Sequence, residues 1–254
     1  MTAASGAQRV RRRSLTDGAI ARIRQVIISG ELRPGDRLPP ELALAAQLGL
    51  SRSSMREAVK ALVLARVLDV RRGDGTYVTS LEPRLLLEGL GFAVELLQGD
   101  TVLEVMEVRR LLEPAATALA AVRAGPPVLE ELLGHLERLR AAGGDAEELM
   151  RHDVAFHDCV AMATGNESLA SVIRGLSTPT VHARTWRAVI EGNAAHETVA
   201  QHEAIYAALA AGDARLAHAV ALVHVTTSET WMRRRLGQRP APAPGANGAR
   251  AARP

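Results

Sequence analysis

Aromatic side chains are scarce in this chain: two Trp, two Tyr and two Phe among 254 residues. Alanine and leucine fill the apolar positions instead, which favours helices over sheets. There is a single cysteine, Cys159, so no internal disulfide can form and a reducing compartment is expected. No secretory signal is legible. The basic "RVRRRSL" runs into "TDGAIARIRQ", with arginines where an apolar stretch belongs. No long hydrophobic run exists either. The greasiest stretch, "LLLEGLGFAVELL", is cut by Glu88 and Glu95 and is too short to span a bilayer. Missing too are a Gly-rich phosphate loop, a nucleophile elbow and the paired-histidine-plus-glutamate helix of zinc proteases. These absences speak against an enzyme and for a soluble, cytoplasmic, mainly α-helical protein with no membrane partner.

Charge is unevenly spread. Residues 1–80 hold 14 Lys and Arg against 7 Asp and Glu, a net +7. Residues 81–232 hold 11 against 21, a net −10, and residues 233–254 hold 6 basic and no acidic residues. A basic first third on an acidic middle implies a polyanion-binding module joined to a domain with another task.

Residues 1–13 read as a disordered basic arm and the Pro/Gly/Ala-rich 236–254 as a disordered tail. Between them, "TDGAIARIRQVIISG" predicts a helix capped at Thr16 or Asp17, with Ile20, Ile23, Val26 and Ile27 on one face. "ELALAAQL" predicts a short helix offering Leu42, Ala45 and Leu48 to a core. After the Gly49 turn, Ser51 can cap "RSSMREAVKAL". On that helix Met55, Ala58, Val59 and Leu62 share a face, while Arg52, Ser53, Arg56 and Lys60 fall on the adjoining one. "VLDVRRGDGTYVT" then predicts a hairpin, with Gly73 and Gly75 in the turn. Residues 14–80 thus read as a winged helix-turn-helix. The two-sided third helix suits a duplex major groove: its apolar side holds it to the module, and its donors face base edges and phosphates. Arg52 and Arg56 suit bidentate contacts, and Ser51, Ser53 and Ser54 can donate. Arg71 and Arg72 at the hairpin tip can reach the backbone or minor groove. The rival reading is an ordinary solvated surface helix.

The stretch from Gly30 to Val78 resembles the DNA-binding domain of the GntR family of bacterial transcriptional regulators. The shared pattern includes Pro34-Gly35, Leu38-Pro39, Glu41, Leu44-Ala45, Leu48-Gly49, Ser51-Arg52, Arg56-Glu57-Ala58, Leu62, Gly73 and Gly75-Thr76-Tyr77-Val78. The resemblance implies DNA contacts from Ser51, Arg52, Ser53, Ser54, Arg56, Arg72 and Gly73. Three positions depart from it. Leu42 stands where a DNA-contacting arginine is frequent, Pro40 where serine or alanine is usual, and Val67 where a glycine normally precedes the hairpin.

Residues 82–235 predict only helices, at about 83–98, 101–124, 126–142, 145–163, 166–191, 195–211 and 213–235. All eight histidines lie here. Asp153 and His157 are four apart on one helix, beside Phe156 and Val160. His202 shares a stripe with Ile205 and Leu209, and His224 with Val220, Ala217 and Trp231, whereas His152, His196 and His218 fall off these stripes. Periodicity thus allows one carboxylate and three imidazoles to converge inside a bundle, where they suit zinc, nickel or a similar divalent transition metal. It equally allows separate, hydrogen-bonded core histidines.

This region resembles the FCD domain, the all-helical effector-binding domain of FadR-type GntR regulators. The marks are "VRRLLEPAATALAA", Asp153/His157, Gly165-Asn166, His202-Glu203 with Ile205, and Gly212 through His224. The resemblance implies Asp153, His157, His202 and His224 as metal ligands. Four protein ligands leave about two positions on a six-coordinate ion for a small carboxylate or hydroxy acid. Arg109 matches a family position that pairs with an effector carboxylate; a salt bridge to Glu113, four residues on, is the alternative. Arg184 is a second candidate for that pocket. Asn166 is a third, or else only a helix cap. The whole reads as a ligand-responsive repressor, a homodimer on a near-palindromic operator. Its rivals are a helical domain that only dimerises, and a metal hydrolase with a DNA-binding appendage.

Overall fold

The computed structural model describes residues 3–96, 101–143, 145–177 and 194–237. The chain divides into two compact units, Met1–Gly89 and Leu90–Pro254. That division falls later than the junction at 81–82 that composition indicates.

In the first unit, α1 (Ala3–Ile28), α2 (Glu41–Gln47) and α3 (Arg52–Leu64) precede β1 (Leu68–Arg71), β2 (Gly75–Val78) and α4 (Pro83–Leu86). α1 starts earlier than the Thr16 or Asp17 cap anticipated. The stretch 3–13, read above as a disordered arm, continues the helix: no proline interrupts it, and arginine and alanine are good helix formers. Ala19 and Ile23 of α1 pack on Leu44 and Ala45 of α2 and on Met55, Ala58, Val59 and Leu62 of α3. Leu68 and Val78 close the core from the strands. Leu42 is not part of it. It is exposed, because the buried stripe of α2 runs through Leu44 and Ala45. Fully buried side chains such as Ile23 and Met55 each contribute about 1.5–3 kcal/mol to this small core.

α3 starts at Ser51, whose Oγ accepts the Ser54 amide at 3.1 Å. It ends in a tight double closure: the Arg66 amide donates to the Val63 carbonyl and the Val67 amide to that of Leu62, at 3.0 and 2.9 Å. The left-handed residue of this closure is Arg66, φ 58°, and not Val67. The glycine-like position therefore lies one residue earlier than the sequence pattern placed it. β1 and β2 pair antiparallel from Leu68↔Val78 to Arg71↔Gly75, with Gly73 at φ 76° in the turn. Gly75 lies in β2 and not in the turn. Its missing side chain makes room for Arg37: a Cβ there would stand 2.6 Å from the Arg37 Nε. The segment around Arg37 adds a third edge to the wing, with the Leu38 amide on the Thr76 carbonyl and the Val78 amide on that of Asp36.

α5 (Glu88–Glu95) leads from the first unit into the second. The single helix expected over 83–98 is thus two, parted at Leu87, which closes α4 with φ −95°. Then follow α6 (Thr101–Arg123), α7 (Pro126–Ala141) and α8 (Ala146–Ala163). α9 covers the described helical residues 167–177. α10 (Ala194–Ala210) and α11 (Ala214–Gly237) complete the bundle. α11 reaches into the stretch read as a disordered tail; the rest of that tail lies outside the described residues. Asp145 caps α8 by accepting the Glu147 and Glu148 amides, and Asp213 caps α11 by accepting those of Arg215 and Leu216. Ala120, Ala121, Ala208 and Ala217 lie in one core cluster with Leu132, Phe156, Val160, Ile205 and Leu209. Such small residues let α6, α8, α10 and α11 approach closely enough for medium-length side chains to meet at the centre. Cys159 is buried, and desolvation, with Glu131 second, pushes its thiol up to about 12, so it stays protonated at neutral pH.

Arg66→Gly removes a left-handed strain of about 1–2 kcal/mol at the end of α3. It also loses an Arg66–Glu88 ion pair, exposed on both sides and worth little. After the greater chain entropy of unfolded glycine is counted, a net gain of about 0.5–1 kcal/mol is expected in denaturant unfolding. A loss of stability contradicts this reading of the turn.

Candidate metal centre and nucleic-acid interface

The outer side of α3 presents Ser51, Arg52, Ser53 and Arg56 to solvent. Arg56 has a loose ion pair, Nε to the Glu41 carboxylate at 3.7 Å. The wing presents Arg71, Arg72 and Gly73, all exposed. Arg71 lies over the Tyr77 ring at 4.1 Å, which holds its guanidinium on the face of the hairpin. The Tyr77 hydroxyl donates to Asp74 at 2.7 Å, and that bond raises its phenol above the ordinary value. Ser54 behaves otherwise. It is buried, its amide donates to Ser51 Oγ and its hydroxyl lies 2.9 Å from the same atom. Ser54, read above as a DNA contact, is turned into the helix start. A serine in the first turn serves equally as cap partner or as donor to a ligand, and sequence does not separate the two roles.

In the second unit, four side chains from α8, α10 and α11 meet. Asp153, His157, His202 and His224 each offer one ligand atom, and these atoms all lie within 4.8 Å of one another. The rings form a nearly equilateral triangle, with centroids 5.0 Å apart for His157–His202 and 4.9 Å for each of the other two pairs. Asp153 Oδ1 lies 3.2 Å from His202 Nε2 and 3.8 Å from His157 Nε2. Phe156 packs edge-on against His202, with ring centroids 4.7 Å apart.

The donor set fits a transition-metal ion. His202 Nδ1 faces the Thr198 carbonyl at 2.7 Å, and a carbonyl only accepts, so Nδ1 carries the proton. In the neutral form of such a ring Nε2 is the lone-pair nitrogen. It is buried, has no hydrogen-bond partner and points at a carboxylate oxygen. Two acceptors in that position repel one another unless a cation or a proton lies between them. Nitrogen-rich donors at this spacing, with the second ring nitrogen anchored on a carbonyl, are the arrangement that zinc and nickel take.

The other residues singled out from sequence fare differently. Arg109 is buried and pairs with Glu113, Nε to Oε1 at 2.6 Å and Nη2 to Oε2 at 3.2 Å. Ser177 donates to Glu113 Oε1 at 3.2 Å. The internal salt bridge, the alternative left open by the i,i+4 spacing, is the one formed. Asn166 caps α9: its Oδ1 accepts the Leu169 amide at 3.1 Å. Arg184 lies outside the described residues. A cavity of about 30 Å3 adjoins His157, lined by Val154, Asp158, Ala161, Ile173, Arg174 and Ser177, with room for about a water molecule. His152, placed off the inward stripes by periodicity, is nevertheless buried against His135, with the two Nδ1 atoms 3.1 Å apart. Burial, with Arg151 second, lowers its pKa. Sequence reasoning also passed over Gln201 and Thr227, which adjoin the ligands; nothing in their spacing marks them.

Residues 15–78 match the model of the bacterial regulatory proteins of the gntR family, and residues 104–227 match the FCD domain. The HTH-type transcriptional regulator LutR of Bacillus subtilis (strain 168) is 33% identical over 208 residues, covering 80% of this chain and 94% of LutR. A putative L-lactate dehydrogenase operon regulatory protein of Escherichia coli (strain K12) is 31% identical over 229 residues, covering 87% and 88%. Among solved structures, Streptococcus agalactiae GntR superposes with a TM-score of 0.62 at 27% identity, covering 85% of this chain and 99% of that one. The chain belongs to the gntR family of bacterial regulatory proteins, with an FCD domain behind its winged helix, and is a DNA-binding transcriptional regulator and not an enzyme.

Proposed function

We propose that the chain is a cytoplasmic, metal-containing repressor that binds a near-palindromic double-stranded operator as a homodimer and responds to a small carboxylate or hydroxy acid. The observation that carries this reading is the buried triangle of imidazoles around Asp153. Zinc or nickel is the ion that such a donor set favours. When bound, the ion supplies a positive charge that can hold an anionic effector. This chain's own part is to hold four donors from three helices within reach of one point. An effector that binds there shifts the DNA affinity only through its different affinity for the two arrangements of the dimer. A relative named for an L-lactate dehydrogenase operon supports a hydroxy acid as the effector class. Arg109 reaches an effector carboxylate only by giving up Glu113, so it acts in this reading as a switchable partner. Asn166 supports the effector pocket as the cap of α9. Arg184 completes the set of effector candidates.

At the DNA, Arg52, Ser53 and Arg56 on α3 face bases and phosphates, while Ser51 caps the helix and borders the same face. Arg71, Arg72 and Gly73 follow the backbone at the wing. A homodimer is supported by exposed apolar side chains along the antiparallel α6–α11 pair: Val108, Leu111, Leu119 and Val122 on one helix, Leu216 and Val223 on the other. A second copy of this chain, related by the twofold axis that a palindrome requires, is the occupant that matches this face. Among the described residues no helix is long and apolar enough to cross a membrane.

Arg52→Ala and Arg56→Ala are each expected to weaken binding to the DNA upstream of the chain's own gene cluster by about 1–3 kcal/mol, with the unfolding midpoint unchanged. Fluorescence anisotropy at fixed salt reads this, and unaltered affinity in both variants defeats the α3 interface. His202→Ala is expected to lose the metal that copurifies with the wild type, measured by mass spectrometry of the dialysed protein. Equal metal in both sinks the centre. Leu111→Glu with Leu119→Glu is expected to turn dimers into monomers in analytical ultracentrifugation, and an unchanged dimer moves the interface elsewhere.

A further inference from the structure

Each imidazole that is to bind a metal through Nε2 must carry its own proton on Nδ1. For His202 this is hard-wired, because a main-chain carbonyl, that of Thr198, cannot turn round. For His224 it is not. Its Nδ1 faces a side-chain amide, with Gln201 Oε1 at 2.8 Å. An amide can present either its oxygen or its NH2, and the two faces impose opposite tautomers on the ring.

We propose that Gln201, held by Thr227, is the positioning residue that sets the tautomer of His224 and thereby readies the α11 donor for metal; this rests on the metal reading of the centre. The Thr227 hydroxyl has a single proton, and it donates that proton to the Val223 carbonyl at 2.9 Å. Towards Gln201, Thr227 Oγ1 can therefore only accept. It receives the Gln201 Nε2 amide at 3.2 Å. With the NH2 so engaged, the Gln201 carbonyl faces His224 and accepts from Nδ1–H. In the neutral ring this tautomer puts the lone pair on Nε2, the nitrogen through which a metal ion would be held. Reversing the amide requires Thr227 to release Val223 and donate to Gln201. It would place a proton on His224 Nε2, where it opposes a cation.

The arrangement also ties two helices together. Gln201 precedes the ligand His202 on α10, and Thr227 lies three residues beyond the ligand His224 on α11. One side chain thus spans the helices that carry two of the three imidazoles. A carboxylate is the commoner partner for a ligating histidine. A neutral amide fixes the same tautomer without adding a second negative charge beside Asp153.

The test uses the full chain, zinc as the probe and a competing chelator to read affinity at about pH 8, where an ordinary imidazole is neutral. Gln201→Leu is expected to weaken zinc binding by about 10–100-fold. Gln201→Glu, which keeps an acceptor on Nδ1, is expected to bind at least as tightly as the wild type. Thr227→Val is expected to lower affinity and Thr227→Ser to restore it, since only the serine keeps a hydroxyl to orient the amide. A second readout needs no metal: ring 15N shifts of His224 in the metal-free protein are expected to show Nδ1 protonated in the wild type and a tautomer mixture in Gln201→Leu. Wild-type affinity in Gln201→Leu and Thr227→Val, in a protein whose His202→Ala variant loses zinc, overturns the positioning role alone. A wild type that binds no zinc overturns the metal reading instead, while the 15N shifts still decide which nitrogen Gln201 holds protonated. Should Gln201→Leu fail to fold, the Thr227→Val and Thr227→Ser pair decides by the same two readouts.

Discussion

The second unit of this protein is organised around one close approach of polar groups in its interior. The Nε2 of His202 and a carboxylate oxygen of Asp153 are held 3.2 Å apart in the interior, with two further imidazole rings about 5 Å from the first. Burial removes the water that would otherwise separate such groups, and the anchoring of His202 Nδ1 on the Thr198 carbonyl turns Nε2 towards the carboxylate. Such a pair is comfortable in the interior only with a proton or a cation between the two atoms, and a metal ion is the occupant proposed above. Folding and ligation are coupled in such a site, since the unfolded chain has no preformed set of donors. The alanine-rich packing of α6, α8, α10 and α11 serves the same end by letting the three ligand-bearing helices come close.

The first unit solves a different problem. α3 must be gripped firmly enough to present a fixed face, yet that face must stay polar. Met55, Ala58, Val59 and Leu62 provide the grip, and Arg52, Ser53 and Arg56 the face. Ser51 and Ser54 lie between, where they shape the first turn. The wing is steadied by Arg37, which fills the space that Gly75 leaves and bonds to the Asp74 carbonyl. Neither unit needs the other's chemistry to be built, which fits a regulator whose DNA-binding module is separate from its FCD domain.

Much of this was legible in the residues, for reasons that differ from element to element. The inward stripes of His202 and His224 follow helical periodicity, and their burial follows from it. Their convergence on Asp153 and His157 does not, because periodicity fixes a face and not the neighbour of that face; the family resemblance supplied that step. Arg109 carried two readings of equal weight, and local geometry decided for Glu113 because an i,i+4 partner is present in every conformation of the helix. Leu42 lies outside the core because on a short helix a shift of a single residue exchanges inside for outside, and the same sensitivity sets Ser54 into the first turn of α3 beside Ser51. The left-handed position at Arg66 was placed one residue late, since the closing hydrogen bonds of a helix leave little trace in residue type unless glycine is present. Gln201 gave no signal at all. Its role exists only in the direction of a hydrogen bond between two helices distant in sequence.

X-ray absorption at the edge of the copurified metal tests the central claim most directly. One ion per chain with a shell of nitrogen and oxygen, and the outer scattering of several imidazoles, is the predicted result. A sulfur in the first shell, or a shell of oxygens alone, contradicts the account, because Asp153, His157, His202 and His224 would then not be what holds the ion.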